Sequence, residues 1–134
     1  MQNRIITNGN NFYRFKRAEI AKLLLQRGAN PSAQTDDHFT PLHLAARRGQ
    51  TEICSLLLKD SGVQVNSFYQ GHFSPFHMAC LSGSREVCEL FVKSGADITL
   101  KSTPGYSPLQ IAAWKGHEEI CQLLIETGNT LINI

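Results

Sequence analysis

A chain of 134 residues is long enough for one folded domain, and its 42% hydrophobic and 18% charged content is ordinary for a soluble globular protein. No apolar run approaches the length of a membrane span, Met1-Gln2-Asn3-Arg4-Ile5-Ile6 lacks the apolar core of a secretory signal, and Pro31 bars Asn30-Pro31-Ser32 from glycosylation. The cytoplasm, with the nucleus as a second option, is the expected compartment. Net charge is +2, divided unevenly: +5 through Arg27 and −3 over the remainder. The basic end permits contact with nucleic acid or anionic lipid, but polarity that keeps a chain end soluble is the favoured reading.

Residues 1–17 give the weakest pattern. In the 33-residue register that the rest of the chain establishes, Thr7 meets a helix-cap slot, but Asn8 meets proline, and Phe12 and Tyr13 meet two alanine slots. Two bulky rings do not fit where small residues let helices approach. The segment reads as a diverged or truncated N-terminal cap, or as a helix in another register over about 11–17. Residues 18–34 read as the second helix of a partial repeat and its exit loop, Gly28-Ala29-Asn30.

Residues 35–68 form the first complete unit. Thr40 is an N-cap and Pro41 suits the first helical position, where its missing N–H is no loss. Leu42, Leu44, Ala45 and Ala46 make a short helix with a small, close-packing face, and Gly49 ends it in the left-handed conformation. A second helix runs from about Thr51 to Lys59, with Ile53, Leu56 and Leu57 at the spacing of a buried stripe.

Residues 69–101 and 102–134 repeat the scheme. Thr40-Pro41-Leu42-His43-Leu44-Ala45-Ala46 returns as Ser74-Pro75-Phe76-His77-Met78-Ala79-Cys80, then as Ser107-Pro108-Leu109-Gln110-Ile111-Ala112-Ala113, at offsets of 34 and 33. The extra residue lies around Lys59-Asp60-Ser61, where an insertion is cheap. Gln110 replaces histidine and fits a capping box with Ser107. Such units cannot bury their apolar faces alone, and stacking buries a continuous core. The last helix carries Ile120, Leu123, Leu124 and Ile125, followed by Leu131, Ile132 and Ile134. That is more apolar than a terminal cap should be, and the chain reads as a fragment of a longer protein.

The heptad, the glycine after it, Glu-Ile or Glu-Val before a leucine-rich helix, and Gly28-Ala29-Asn30 or Gly95-Ala96-Asp97 resemble the ankyrin repeat family. The resemblance covers residues 35–134 in full and residues 18–34 by the second helix alone. It implies an all-α ankyrin-repeat solenoid, one domain of helix–turn–helix units joined by β-hairpin-like loops, whose curved inner face binds proteins. It also implies that the rings of His43 and His77 bridge backbone groups of adjacent units.

Chemistry finds little support. His77-x-x-Cys80 with nearby Cys88 has zinc-type ligands, but Cys54, Cys88 and Cys121 share one small buried slot, filled by Ala21 in the first unit. Disulfides between those aligned cysteines exceed the permitted Cα separation, since stacked helices lie about 8–10 Å apart. Cys80 with Cys88 stays open as a pair, though a reducing compartment is the better fit. There is no phosphate loop, nucleophile elbow or His-Glu-x-x-His motif. No catalytic, metal or cofactor residues are expected, and the chain reads as a non-enzyme.

Binding residues are expected where the repeats vary. The loops before the caps place His38, His72 and Gly105 at a left-handed turn position, which histidine tolerates better than most residues. The next slot is always aromatic: Phe39, Phe73 and Tyr106. Packing and partner contact weigh evenly for these three. Tyr69 lies on the same kind of loop. By the resemblance, Arg47 and Arg48, Leu81 and Ser82, and Trp114 and Lys115 line the inner face. Rings with two arginines and a lysine suit a protein or peptide with some acidic character. The expected function is a monomeric protein-interaction module of a scaffold, adaptor or regulator. The alternative is an intramolecular structural or autoinhibitory segment of a larger enzyme or channel. Nucleic-acid or lipid contact comes third.

Overall fold

The computed structural model describes residues 18–60, 62–66, 73–102 and 105–132. The readings of residues 1–17, Tyr69 and His72 lie outside these. The described residues form helices α1 (Ala18–Gln26), α2 (Pro41–Arg47), α3 (Thr51–Leu58), α4 (Pro75–Ser82), α5 (Arg85–Lys93), α6 (Pro108–Lys115) and α7 (Glu118–Ile132), with no strand among them. Helices α2, α4 and α6 pack in one row, and α1, α3, α5 and α7 in a second. Each first-row helix also packs on its successor: α2 on α3, α4 on α5, α6 on α7. The fold is the all-α repeat stack that the periodicity predicts.

The starts of the first-row helices follow from local chemistry. Thr40, Ser74 and Ser107 each accept a bond from the backbone N–H three residues on, and Pro follows each cap. The reciprocal bond comes from His43, His77 and Gln110, so all three are full capping boxes, each satisfying two backbone N–H groups that the helix leaves unpaired.

The helix ends are as regular. At Gly28, Gly49, Gly95 and Gly116 the chain turns left-handed, and the next residue's N–H reaches back to Leu24, Ala45, Phe91 and Ala112 respectively, at 2.9–3.0 Å. This is the Schellman closure. The last repeat departs from its predecessors, because α7 continues through Gly128 to Ile132 without an exit loop.

The core lies between the two rows. Ala45, Ala46, Ala79 and Ala112 are no more than 2% exposed and set the close approach of the first-row helices. Phe76 and Phe91 fill its centre with ring centroids 5.8 Å apart. The exit loops are laced together: Ser32 Oγ donates to the Gly62 carbonyl at 2.9 Å, Asn66 Nδ2 donates to the Gly95 carbonyl at 3.3 Å, and the Asp97 N–H donates to Asn66 Oδ1 at 2.7 Å. On the second row, Arg85 donates to the Glu119 carbonyl at 3.1 Å and lies 3.5 Å from Glu89 and 4.0 Å from Glu126.

One close approach fixes a residue type. Gly83 has φ +79°, and a Cβ there would lie 2.9 Å from the His117 ring, whereas Gly116, at φ +75°, has open space. His117 is also anchored, with Nε2 3.3 Å from the Leu81 carbonyl. Gly83→Ala should therefore destabilise by about 2 kcal/mol, combining left-handed strain with displacement of the ring, and Gly116→Ala by about 1 kcal/mol from strain alone. Urea midpoints of the two variants test this, and equal losses would show that the His117 ring yields without cost.

Candidate partner-binding face

On each first-row helix the side chains that follow the small pair (Ala45-Ala46, Ala79-Cys80, Ala112-Ala113) turn away from the packed face, because each helical step turns about 100°, and they emerge to different degrees. Arg47 and Arg48 are exposed at the end of α2. Leu81 and Ser82 are half-buried at the end of α4, where Leu81 leans on the core and Ser82 Oγ turns back to the Ala79 carbonyl at 2.6 Å. Trp114 and Lys115 are exposed at the end of α6, with Trp114 at 76%. The structure thus places these six residues in one row of equivalent slots across three packed helices. Arg47 and Lys115 also sit in last helical turns, where cations offset the helix dipole, so part of their role is local.

The loops before the caps divide the aromatic ladder. The Thr35 N–H donates to the Phe39 carbonyl at 2.9 Å and the Ser102 N–H to the Tyr106 carbonyl at 2.9 Å, closing two matching hairpin-like loops. Thr35 Oγ1 and Ser102 Oγ accept from Phe39 and Tyr106 in turn, at 3.2 and 3.1 Å. His38 takes φ +67° and Gly105 takes φ +98°, so histidine does hold the left-handed position. Half-buried Phe39 meets the ring of His43 edge-on at 5.6 Å, and half-buried Phe73 stacks on His77 at 5.6 Å. Tyr106 differs: it is 43% exposed, with its ring 6.3 Å from that of Trp114. For Phe39 and Phe73 packing accounts for the ring, while Tyr106 and Trp114 form an exposed aromatic pair.

The histidines behind the loops lock neighbouring repeats. The Thr40 N–H donates to His43 Nδ1 at 3.1 Å, which assigns the neutral tautomer whose Nε2–H donates to the Phe73 carbonyl at 2.9 Å. In the next repeat the Ser74 N–H donates to His77 Nδ1 at 3.1 Å, and His77 Nε2–H donates to the Tyr106 carbonyl at 3.1 Å. The bridging role implied by the family resemblance is therefore present. Each ring thus holds the residue just before the next first-row cap. Gln110 keeps the cap, accepting from the Ser107 N–H at 2.9 Å, but is itself exposed.

Three of the four thiols lie out of a partner's reach, and Cys121 is half-buried. Cys54, Cys80 and Cys88 are free and fully buried. Burial, with Cys88 close by, pushes the Cys54 thiol up to about 12. Cys80 is raised further, by its hydrogen bond with Cys88 and then by burial. Zinc ligation needs thiolates, which these surroundings oppose. Among the described residues no three His, Cys, Asp or Glu side chains come together as a metal-ligand group, and no helix is long and apolar enough to cross a membrane.

Sequence reasoning missed His117, whose ring covers Gly83, and the loop-closing Thr35 and Ser102. The signal for the first was the residue after each turn glycine (Gln50, Ser84, His117), since Ser84 likewise lies over Gly49. The signal for the second was a hydroxyl four residues before the aromatic slot.

A family model described as ankyrin repeats (3 copies) matches residues 13–102 and, again, residues 75–133. Proteins of this kind are generally protein–protein interaction modules and typically not catalytic. With nearly the whole chain matched, each repeat opened by the same cap and turned at a glycine, and the first two joined to their successors by a histidine, the chain belongs to the ankyrin repeat family.

Proposed function

We propose that this chain is a protein-interaction module that grips a protein or peptide through the row Arg47, Arg48, Leu81, Trp114 and Lys115, with Tyr106 beside Trp114 and with further contacts from Phe39, Tyr69 and Phe73. One observation carries this reading: Trp114 is 76% exposed beside an exposed tyrosine, in a slot the stack does not need filled. Tryptophan, tyrosine and arginine dominate interface hot spots. The module suits a cytoplasmic or nuclear scaffold, adaptor or regulator, acts as a monomer, and needs no cofactor.

Trp114→Ala should leave the helical signal and urea midpoint unchanged and weaken a captured partner by more than about 1 kcal/mol, roughly fivefold in Kd. Titration calorimetry with a partner captured by the wild-type chain reads this, and an unchanged Kd would remove Trp114 from the site. Steep salt dependence of binding to DNA or anionic vesicles would favour the basic first segment instead.

A second reading is intramolecular: a structural or autoinhibitory contact with other parts of a larger enzyme or channel. It is favoured by the last repeat, where Leu109 is 39% and Ile125 51% exposed, while the equivalents of Leu109, Leu42 and Phe76, are 1% exposed under the next repeat. Loss of an external partner when flanking sequence is added back would support it.

A further inference from the structure

We infer that the partner of this face is an extended acidic peptide, with a pair of carboxylates spaced about five or six residues from an apolar side chain. The inference rests on the binding-face reading above and names the chemistry of its occupant. The first-row helices, Pro41–Arg47, Pro75–Ser82 and Pro108–Lys115, contain no aspartate or glutamate, yet their ends carry Arg47, Arg48 and Lys115.

The carboxylates of the chain lie elsewhere. Asp36 and Asp37 are on the loop before α2, at the opposite end of that helix from the arginines, a helix length of about 10 Å away. Glu52 lines a cleft with Glu19, Lys22, Ser55 and Leu56 between α1 and α3. Glu86, Glu118 and Glu119 start second-row helices, and Glu89 and Glu126 lie by Arg85. The last turns of the first-row helices thus carry positive charge alone, the nearest carboxylates in sequence, Glu52, Glu86 and Glu118, belonging to the first turns of the second-row helices that follow, and the cationic side chains Arg47, Arg48 and Lys115 favour an anionic ligand on the row.

The spacing follows from the packing. Helix α2 packs on α4, and α4 on α6. Axes of packed helices lie about 8–10 Å apart, so the arginines and Trp114 are separated by about 16–20 Å. Extended chain rises about 3.3 Å per residue, which converts this span to about five or six residues. Between the two ends the row offers only Leu81, half-buried, and a Ser82 hydroxyl already bonded to Ala79 and to the Ser84 N–H, so small or apolar residues fit the middle. At the far end, the exposed Tyr106–Trp114 pair takes an apolar side chain, with Lys115 beside it for a further carboxylate.

A random twelve-residue peptide library displayed on phage, selected on the immobilised chain, tests this. The expected result is enrichment of sequences with two neighbouring Asp or Glu residues about five or six positions from Leu, Met, Phe or Trp. Synthetic versions should lose about tenfold or more in affinity against R47E/R48E, lose about fivefold or more against Trp114→Ala, and weaken as salt rises. Enriched peptides that lose affinity with Trp114→Ala but not with R47E/R48E would keep the binding face and overturn the acidic occupant. Peptides indifferent to both changes would overturn the face as well. No enrichment over a blank surface overturns the inference, and a protein partner still held through Trp114 would then leave the face standing.

Discussion

Replacing Phe91 by alanine is expected to destabilise the stack by about 3–5 kcal/mol. Phe91 is fully buried on α5 and meets Phe76 at 5.8 Å between centroids, with the planes tilted by 39°. The site has little room to collapse, because Ala79, Cys80 and Cys88 around the same centre are already small and 0% exposed. The cavity would also open in the middle repeat. Helix α5 packs on α3, α4 and α7, so both interfaces of that repeat lose support, and in a one-dimensional stack each unit is held by its neighbours. A lower urea midpoint with an unchanged or reduced slope checks this. Phe91→Leu, which keeps most of the volume, should lose no more than about 1.5 kcal/mol. An alanine variant within about 1 kcal/mol of wild type would mean that the two rows close over the gap and that Phe91 is not the keystone of the core.

How far the sequence reveals this architecture depends on the range of the interaction that sets each feature. Thr40-Pro41, Ser74-Pro75 and Ser107-Pro108 announce helix starts because a cap is satisfied within three residues. The exchange of Gln110 for histidine was readable for the same reason: the box Ser107-x-x-Gln110 is local. Across the repeats legibility falls. That His117 presses on Gly83 depends on a contact between residues 34 apart, and a bare glycine does not say what lies above it. Gly128 shows the converse. Glycine permits a left-handed turn without requiring it, and the turns at Gly28 and Gly95 lead into loops that are laced to a neighbouring loop through Ser32, Asn66 and Asp97. Among the described residues no such bond draws the chain out at Gly128, and α7 runs on. The exposed ends of the first-row helices were legible as positions, since no core slot in the pattern requires Arg47, Arg48 or Trp114, whereas Leu81 in the equivalent slot leans on the core. The division of the aromatic ladder into packed Phe39 and Phe73 and exposed Tyr106 was not, because it turns on which ring meets a histidine and which meets a tryptophan.

The staple histidine carries the second large effect. His77 is 0% exposed and satisfies the Ser74 N–H on one side and the Tyr106 carbonyl on the other. His77→Ala leaves both without their partner and opens a cavity, a loss of roughly 3 kcal/mol. His77→Gln imitates Gln110: it can keep the cap but cannot reach the next loop, and should lose roughly 1–2 kcal/mol. The two variants differ further from the wild type in their response to acid. Burial lowers the His77 pKa from the ordinary 6.5, against the opposing pull of the Tyr106 and Leu100 carbonyls. A proton on Nδ1 would also set a donor against the Ser74 N–H. Above pH 6.5 both folded and unfolded chains hold this ring neutral, and its stabilisation is fully present. As pH falls below that value the unfolded ring takes a proton first, so the unfolded state binds more protons and stability drops until the folded ring protonates as well. The slope from this one site is at most about 1.4 kcal/mol per pH unit. Urea midpoints of the wild type and His77→Gln between pH 8 and pH 5 should therefore converge on acidification, because the glutamine variant lacks this titration. A constant gap across the range would show that the ring titrates alike in both states, and that the neutral imidazole is not what binds the Tyr106 loop to its neighbour.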